Sequence, residues 1–331
     1  MSMSMMNIDI AFNREELVDY ANNHDPNPTL TATVFRDYLS QRTLVACSGG
    51  ADSFALALLC HVYEIDCALA YIEHGLNPAS TECERLVKNL AEKLDIPFYC
   101  TYLDLSDKAV QSNLEAHARE ARYEALEDLR LAHGYDLVAT AHHQDDVAET
   151  FLINLARGSG SGAASLSARR DALARPLMHW RKLDLMAFIS EVGLEYWEDP
   201  MNKDVRFVRN RMRNELIPLL NEIAGRDVVP LIGRMARHSQ ADNEYLQKAA
   251  SALWPGDVAS TRALSELDPA MRAHALRAWI TGYPPSENEM ERIIDVVEHR
   301  RKSVQISGNR TIWRTGAVLY QDVTAQHIPQ S

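Results

Sequence analysis

A chain of 331 residues has room for about two domains, and it holds no uncharged apolar run long enough to span a bilayer, which argues against a membrane-spanning role. Its 46 acidic against 34 basic side chains leave a formal charge of −12 at pH 7, the wrong sign for a general nucleic-acid coat, because phosphate binding works through counterion release by clustered Lys and Arg. The five cysteines all fall between Cys47 and Cys100 without a C-x-x-C pair, so neither a zinc ribbon nor a disulfide framework is indicated, and they read as buried small hydrophobes.

The opening MSMSMMNIDIAFNREEL lacks a basic leader and carries acids where a secretory apolar core would run, so a cytoplasmic location is expected. Residues 1–42 read as an N-terminal helical extension with two short helices. From Thr43 to about Arg157 the apolar runs LVAC, CALAYI, PFYCTYL and DLVATA alternate with helix-period segments at 52–63, 81–94, 113–133 and 145–155. This alternation predicts an α/β fold, a doubly wound parallel sheet covered by helices, with ligands at the carboxyl ends of the strands.

After Arg175-Pro176 the strands stop. A helix over 181–192, the loop Glu198-Asp199-Pro200-Met201-Asn202 and a basic helix over about 207–220 follow. Lys203, Arg206, Arg209, Arg211 and Arg213 stand there against a single Asp204, a local basic surface on an acidic protein. Residues 43–224 thus read as one domain that ends in this basic helix. Residues 225–331 form a smaller, mainly helical domain, with helices expected over 227–252, 273–281 and 288–301. It ends in a β-hairpin region, where Gly308-Asn309 and Thr315-Gly316 are turn signals between β-prone runs.

The strand-to-helix break Ser48-Gly49-Gly50-Ala51-Asp52-Ser53 is the most informative stretch. Glycines at such a turn let successive backbone N–H groups converge on an anion, and the helix dipole adds positive charge. Phosphate is the natural ligand, yet the G-x-x-x-x-G-K-[ST] pattern is missing: there is no lysine, and Asp52 would repel phosphate unless a cation intervened. Asp52 therefore suggests Mg²⁺. By itself the hexapeptide also reads as a tight turn with Ser48 as a cap and Asp52 as a first-turn acid.

This hexapeptide resembles the SGGxDS loop of the N-type ATP pyrophosphatases, the PP-loop superfamily, which cleave ATP between its α and β phosphates, adenylate an oxygen of the substrate and leave pyrophosphate in the loop. Further motifs follow in order: Ile72-Glu73-His74-Gly75-Leu76-Asn77-Pro78, the stretch NLEAHAREARY ending at Tyr123, TAHHQDDVAET ending at Thr150, Arg157-Gly158-Ser159-Gly160, Arg175-Pro176-Leu177, Glu198-Asp199-Pro200 with Asn202, and FVRNRMR ending at Arg213. Together, over roughly residues 44–220, they resemble the tRNA(Ile)-lysidine synthetase family. That resemblance implies ligation of free L-lysine to carbon 2 of the wobble cytidine of tRNA(Ile) with a CAU anticodon, using ATP and releasing AMP and pyrophosphate.

What the resemblance implies for individual residues is specific. ATP is expected on Ser48, Gly49, Gly50, Ala51, Asp52, Ser53, His74 and Arg122, and Mg²⁺ on Asp52 and Asp146. The catalytic set is expected to be Asp52, Arg122, His142, Asp146 and Glu149, with Glu149 facing the lysine amine. His142, Asp146 and Glu149 share one face if the helix begins early enough. Arg206, Arg209, Arg211 and Arg213 are expected to hold anticodon-stem phosphates, joined by Arg234 and Arg237 of the later domain. The loop from Gly158 to Gly162 is expected to act as a lid. Glu73 and Asn77 depart from the aspartate and arginine more usual in the family. Two rivals remain, a thiolating relative of the same superfamily and an RNA-binding module without catalysis; the missing C-x-x-C pair speaks against the first, and the intact Asp52, Asp146, Arg122 and Glu149 against the second. Whether the chain pairs as a homodimer is left open.

Overall fold

The computed structural model describes residues 13–73, 80–103, 114–158, 166–253, 259–280, 285–308 and 310–322; His74, Asn77 and the glycine loop beyond Gly158 lie outside the described residues. The chain divides into two compact units, one of Met1–Glu149 with Leu166–Gly233 and one of Thr150–Ser165 with Arg234–Ser331.

In the first unit α1 (Arg14–His24) and α2 (Pro28–Tyr38) precede the sheet. Then β1 (Thr43–Ala46), α3 (Ala51–Val62), β2 (Cys67–Glu73), α4 (Ser80–Leu94), β3 (Phe98–Tyr102), α5 (Leu114–Ala132), β4 (Leu137–Ala139) and α6 (Gln144–Ala156) alternate as the apolar runs predict. Two strands were not foreseen, β5 (Arg169–Arg170) and β6 (Leu173–Ala174). At two residues each they are too short to show a period.

The sheet order is β3-β2-β1-β4-β6-β5, parallel throughout except for the antiparallel β5 edge. Its strands alternate between two cores. Val45, Leu69, Tyr71, Leu137 and Ala139 face one cluster, which includes α3, α4 and α7 (Lys182–Val192), while Leu44, Ala68, Ala70, Ile72 and Val138 face a second with Ala125 and Leu126 of α5. Apolar residues on both faces are what a buried parallel sheet requires. Helix α3 is apolar all round, with Phe54 to Cys60 at most 1% exposed, because α1 and α7 close over its outer side. The sheet order runs outward from β1 in both directions, so the crevice of the fold opens between the carboxyl ends of β1 and β4. The Ser48–Ser53 loop and the Thr140–Asp146 segment both leave the sheet there.

Beyond α7, which Gly193 ends at φ +72°, a short 3-10 turn (Pro200–Lys203) leads into one helical path: α8 (Val208–Arg211), a π turn (Met212–Leu216) and α9 (Ile217–Ala224). The expected basic helix is present, with a π turn inside it. Gly225, at φ +62°, caps α9 where a domain division is expected at 224–225. The compact units part later, at Gly233–Arg234 within α10 (Val229–Leu253).

The second unit contains β7 (Ala259–Ser260), α11 (Thr261–Glu266), α12 (Pro269–Trp279), α13 (Glu287–Val297), β8 (Ser303–Ile306), β9 (Arg310–Thr315) and β10 (Val318–Asp322). The two predicted turns produce a three-stranded meander, larger than a hairpin, and β7 extends it to an antiparallel sheet of order β7-β10-β9-β8. Leu276, Ile293, Val296, Val297, Ile312 and Leu319, each fully buried, form its core. Among the described residues no helix is long and apolar enough to cross a membrane, and all five cysteines are free thiols.

Candidate active site at the switch point of the sheet

The loop after β1 is built to hold its backbone open. Gly49 sits at φ +86°, and a Cβ there would lie 3.3 Å from Cys83 Cβ and 3.4 Å from its Cα, so both the conformation and the close approach of α4 require glycine. Ser53 clamps the turn from inside: its hydroxyl donates to Gly50 O at 2.8 Å and accepts from Ser48 N at 3.3 Å. Trp197 N donates to Gly49 O at 2.8 Å, tying the Glu198-Asp199-Pro200 segment to the loop. Gly50 is the N-cap of α3 and no side chain caps it, which leaves the positive end of a buried helix for an anion.

Asp52 and Asp146 come together across the switch point, and a residue that sequence reasoning passed over joins them. His143, 1% exposed, places Nε2 at 3.5 Å from Asp52 Oδ2 and 3.5 Å from Asp146 Oδ2. Burial works to lower the pKa of His143, but the carboxylates of Asp146, Asp52 and Asp145 outweigh it and the imidazole is held above its usual value. Burial likewise works to raise Asp146, and His143, Arg209, His142 and the bond from His143 N at 3.0 Å more than reverse this, so it is held well below the usual carboxylate range. The only signal for His143 in the sequence was its place in the tandem His142-His143. Which of two neighbours faces the crevice depends on where the strand ends, and α6 begins at Gln144, so His142 precedes the helix instead of sharing its face.

Glu149 is fully buried, and both its oxygens are taken. Arg209 Nε donates at 2.7 Å, Arg213 Nε at 2.6 Å and Arg213 Nη2 at 3.1 Å; Arg209 Nη2 also donates to Asp146 Oδ1 at 2.7 Å. Arg209 and Arg213 share a face, as their spacing implies, and in this structure that face turns inward onto the two acids of α6. Three of the roughly four acceptor sites of the Glu149 carboxylate are thereby occupied by the two guanidinia, where a lysine amine was expected. The physical reason is compensation: two acids three residues apart on a buried helix turn need fixed counter-charges, and the planar guanidinium fork supplies them.

Near this cluster lie cations with less compensation. Arg122 is half-buried and Arg175 is 7% exposed; for each, burial pushes the guanidinium pKa down, and Arg119 adds like-charge repulsion. Arg175 Nη1 donates to Ser167 O at 2.6 Å, while its buried Nε has no hydrogen-bond partner among the described residues. His142 shares a hydrogen bond of 2.9 Å with Thr140 Oγ1, and burial, aided by Arg175 and Arg119, lowers its pKa to about 3 despite Asp146. It is therefore a neutral imidazole. Among the described residues Arg122 and Arg175 form no ion pair with an acid, and cations so gathered suit an anionic group such as phosphate.

Of the other basic residues, Arg206 pairs with Asp204 at 2.6 Å and Arg211 with Glu215 at 2.8 Å, both on the surface. Arg234 and Arg237 are exposed on α10 in the second unit. Among the described residues no group of three or more His, Cys, Asp or Glu side chains is arranged to hold a metal ion by itself. Asp52 and Asp146 are the two carboxylates that could hold a magnesium ion together with phosphate oxygens: they converge across the crevice, and among the described residues the buried Asp52 Oδ1 has no hydrogen-bond partner.

A strand-order switch carrying a glycine turn, a convergent pair of carboxylates and a group of arginines defines a nucleotide-binding PP-loop protein, and the PP-loop domain model, an ATP-binding family, matches residues 11–220. Among curated proteins the chain is 40% identical to the tRNA(Ile)-lysidine synthase of Rhodococcus erythropolis, over 72% of this chain and 74% of that one. It is 36% identical to that of Mycolicibacterium paratuberculosis, over 72% and 74%. The chain belongs to the tRNA(Ile)-lysidine synthase family. Among solved structures, the U34-tRNA thiolase NcsA from Methanococcus maripaludis, with its 4Fe-4S cluster, shares the fold at TM-score 0.54 and 17% identity, over 64% of this chain and 79% of that one.

Proposed function

We propose that this protein ligates free L-lysine to the wobble cytidine of tRNA(Ile) bearing a CAU anticodon, with ATP converted to AMP and pyrophosphate. The observation that carries the reading is the convergence of Asp52 and Asp146 on His143 Nε2, beside the open N-terminus of α3. Family membership supports tRNA(Ile) as the substrate. The carbon-2 carbonyl of cytosine has no leaving group, so an amine displaces that oxygen only after it has become a phosphate ester. In the first step the cytidine oxygen attacks the α phosphorus and pyrophosphate leaves. In the second the lysine side-chain amine attacks carbon 2, AMP leaves and the nitrogen sheds a proton.

The chain's residues are suited to these steps. The Ser48–Ser53 turn would receive the β and γ phosphates, and Mg²⁺ held by Asp52 and Asp146 would neutralise phosphate charge. Arg122 and Arg175 would stabilise the negative charge that grows on the α-phosphate oxygens. Neutral His142 offers a hydrogen bond without adding charge. Glu149 orients Arg209 and Arg213 from below. Arg206 and Arg211 of the first unit, and Arg234 and Arg237 of the second, would contact RNA phosphates. Incubation with labelled lysine, ATP, Mg²⁺ and the CAU-anticodon tRNA should yield lysine-labelled tRNA with one AMP per lysine incorporated. Failure of lysine to enter the tRNA while AMP is released, or sulfur incorporation from a thiol donor in its place, would overturn the reading.

A further inference from the structure

The Ser48–Ser53 turn lacks the lysine with which G-x-x-x-x-G-K-[ST] loops reach the outer phosphates. The fold brings a lysine to that place from elsewhere in the chain. Lys182 is the first residue of α7, and its Nζ lies 4.0 Å from Asp52 Oδ2, with the two side chains 29% and 30% exposed. Its position is held through Asp145. That carboxylate accepts from Lys182 N at 2.8 Å and from Arg181 Nε and Nη2 at 3.1 and 2.9 Å, and Arg181 also bonds Asp227. The backbone of residue 182 is thus fixed beside the crevice while its side chain stays partly exposed.

We propose that Lys182 is the phosphate-contacting cation of this loop. In the nucleotide-free protein its ammonium rests near Asp52. With nucleotide bound it turns onto non-bridging oxygens of the β and γ phosphates and holds the pyrophosphate as it leaves. Two features favour this over a simple surface ion pair. Asp52 Oδ2 already faces His143, so Lys182 is not needed to compensate it, and at 4.0 Å the ammonium is too far for a hydrogen bond with the carboxylate. A flexible point charge on a fixed backbone, at the mouth of an uncapped helix N-terminus, is placed to move between a carboxylate and a phosphate. The inference rests on the ATP-cleaving reading above.

The test is Lys182→Gln, with Lys182→Arg as the charge-conserving control, in the full chain. Both keep the backbone N–H that Asp145 binds. The readouts are calorimetric binding of magnesium pyrophosphate, pyrophosphate inhibition of AMP formation, and KM for ATP and for lysine. Removing a charge-assisted hydrogen bond to phosphate should weaken pyrophosphate binding and raise KM for ATP by about tenfold or more in Lys182→Gln. Lys182→Arg should recover much of this, and KM for lysine should not move. Unchanged pyrophosphate affinity overturns the proposal, whether kcat falls, which would mean that Lys182 only orients Asp52, or stays the same, which would mean a surface pair. If the unsubstituted protein releases no AMP from ATP, the adenylation reading itself has failed.

Discussion

Glu149→Gln removes one negative charge from a carboxylate that is fully buried and accepts three hydrogen bonds from Arg209 and Arg213, at 2.7, 2.6 and 3.1 Å. Deleting one partner of a buried ion pair costs about 3–5 kcal/mol. Here Asp146 still faces Arg209 at 2.7 Å and Arg213 at 3.5 Å, and the two arginine side chains are 32% and 24% exposed, so water and Asp146 offset part of the loss. The expected cost is then about 2–3 kcal/mol, and for a unit of this size the melting temperature should fall by about 4–12 °C. Thermal unfolding of the full chain, with AMP formation measured in parallel, checks this. The same variant should lower kcat for AMP formation more than it raises KM for lysine, because what it loosens is the position of the two guanidinia. An unchanged melting temperature together with a raised KM for lysine would refute the reasoning and restore Glu149 as the acid that receives the lysine amine.

Asp52→Asn and Asp146→Asn should each abolish AMP formation while leaving tRNA affinity nearly intact, measured by filter binding; ordinary turnover in either would remove the proposed metal site. In the second unit, burial works to raise the Glu289 pKa, but four hydrogen bonds of 2.7–2.8 Å from the N–H and hydroxyl groups of Ser286 and Ser307 hold it at about 2, below its ordinary 4.5. A folded value below the unfolded one means stabilisation that is complete above about pH 4.5 and is lost as the pH falls toward 2, worth about 3 kcal/mol. Melting of Glu289→Gln should therefore lie well below that of the parent at pH 7 and approach it at pH 3; an equal gap at both values would count against the linkage. Arg234→Ala combined with Arg237→Ala should weaken tRNA binding and flatten its log–log salt slope by roughly 1.4 to 1.8, the equivalent of two neutralised phosphates. An unchanged slope in a salt series would mean that these arginines do not touch RNA.

What the sequence determined by itself was local or nearly so. Continuous apolar runs around Leu44, Ala68 and Val138 and the helix periods between them carried the alternation of strands and helices along the chain, because each pattern is complete within one element. The Ser48–Ser53 turn was legible for the same reason: a glycine at a left-handed φ and an acid in the first helical turn need no distant partner to be recognised. Sequence did not show that Gly49 is also required by Cys83 of α4, or that His143 and not His142 joins Asp52 to Asp146. Nor did it show that Lys182 stands beside a loop far earlier in the chain. The clearest case is Arg209 and Arg213, whose spacing correctly gave one shared face. That this face meets Asp146 and Glu149, some sixty positions away, is a property of the fold and not of the spacing. Charge pairing is set by which elements the tertiary fold brings within a few ångströms and by how much water it removes there, and neither quantity is written in the spacing of residues along one helix.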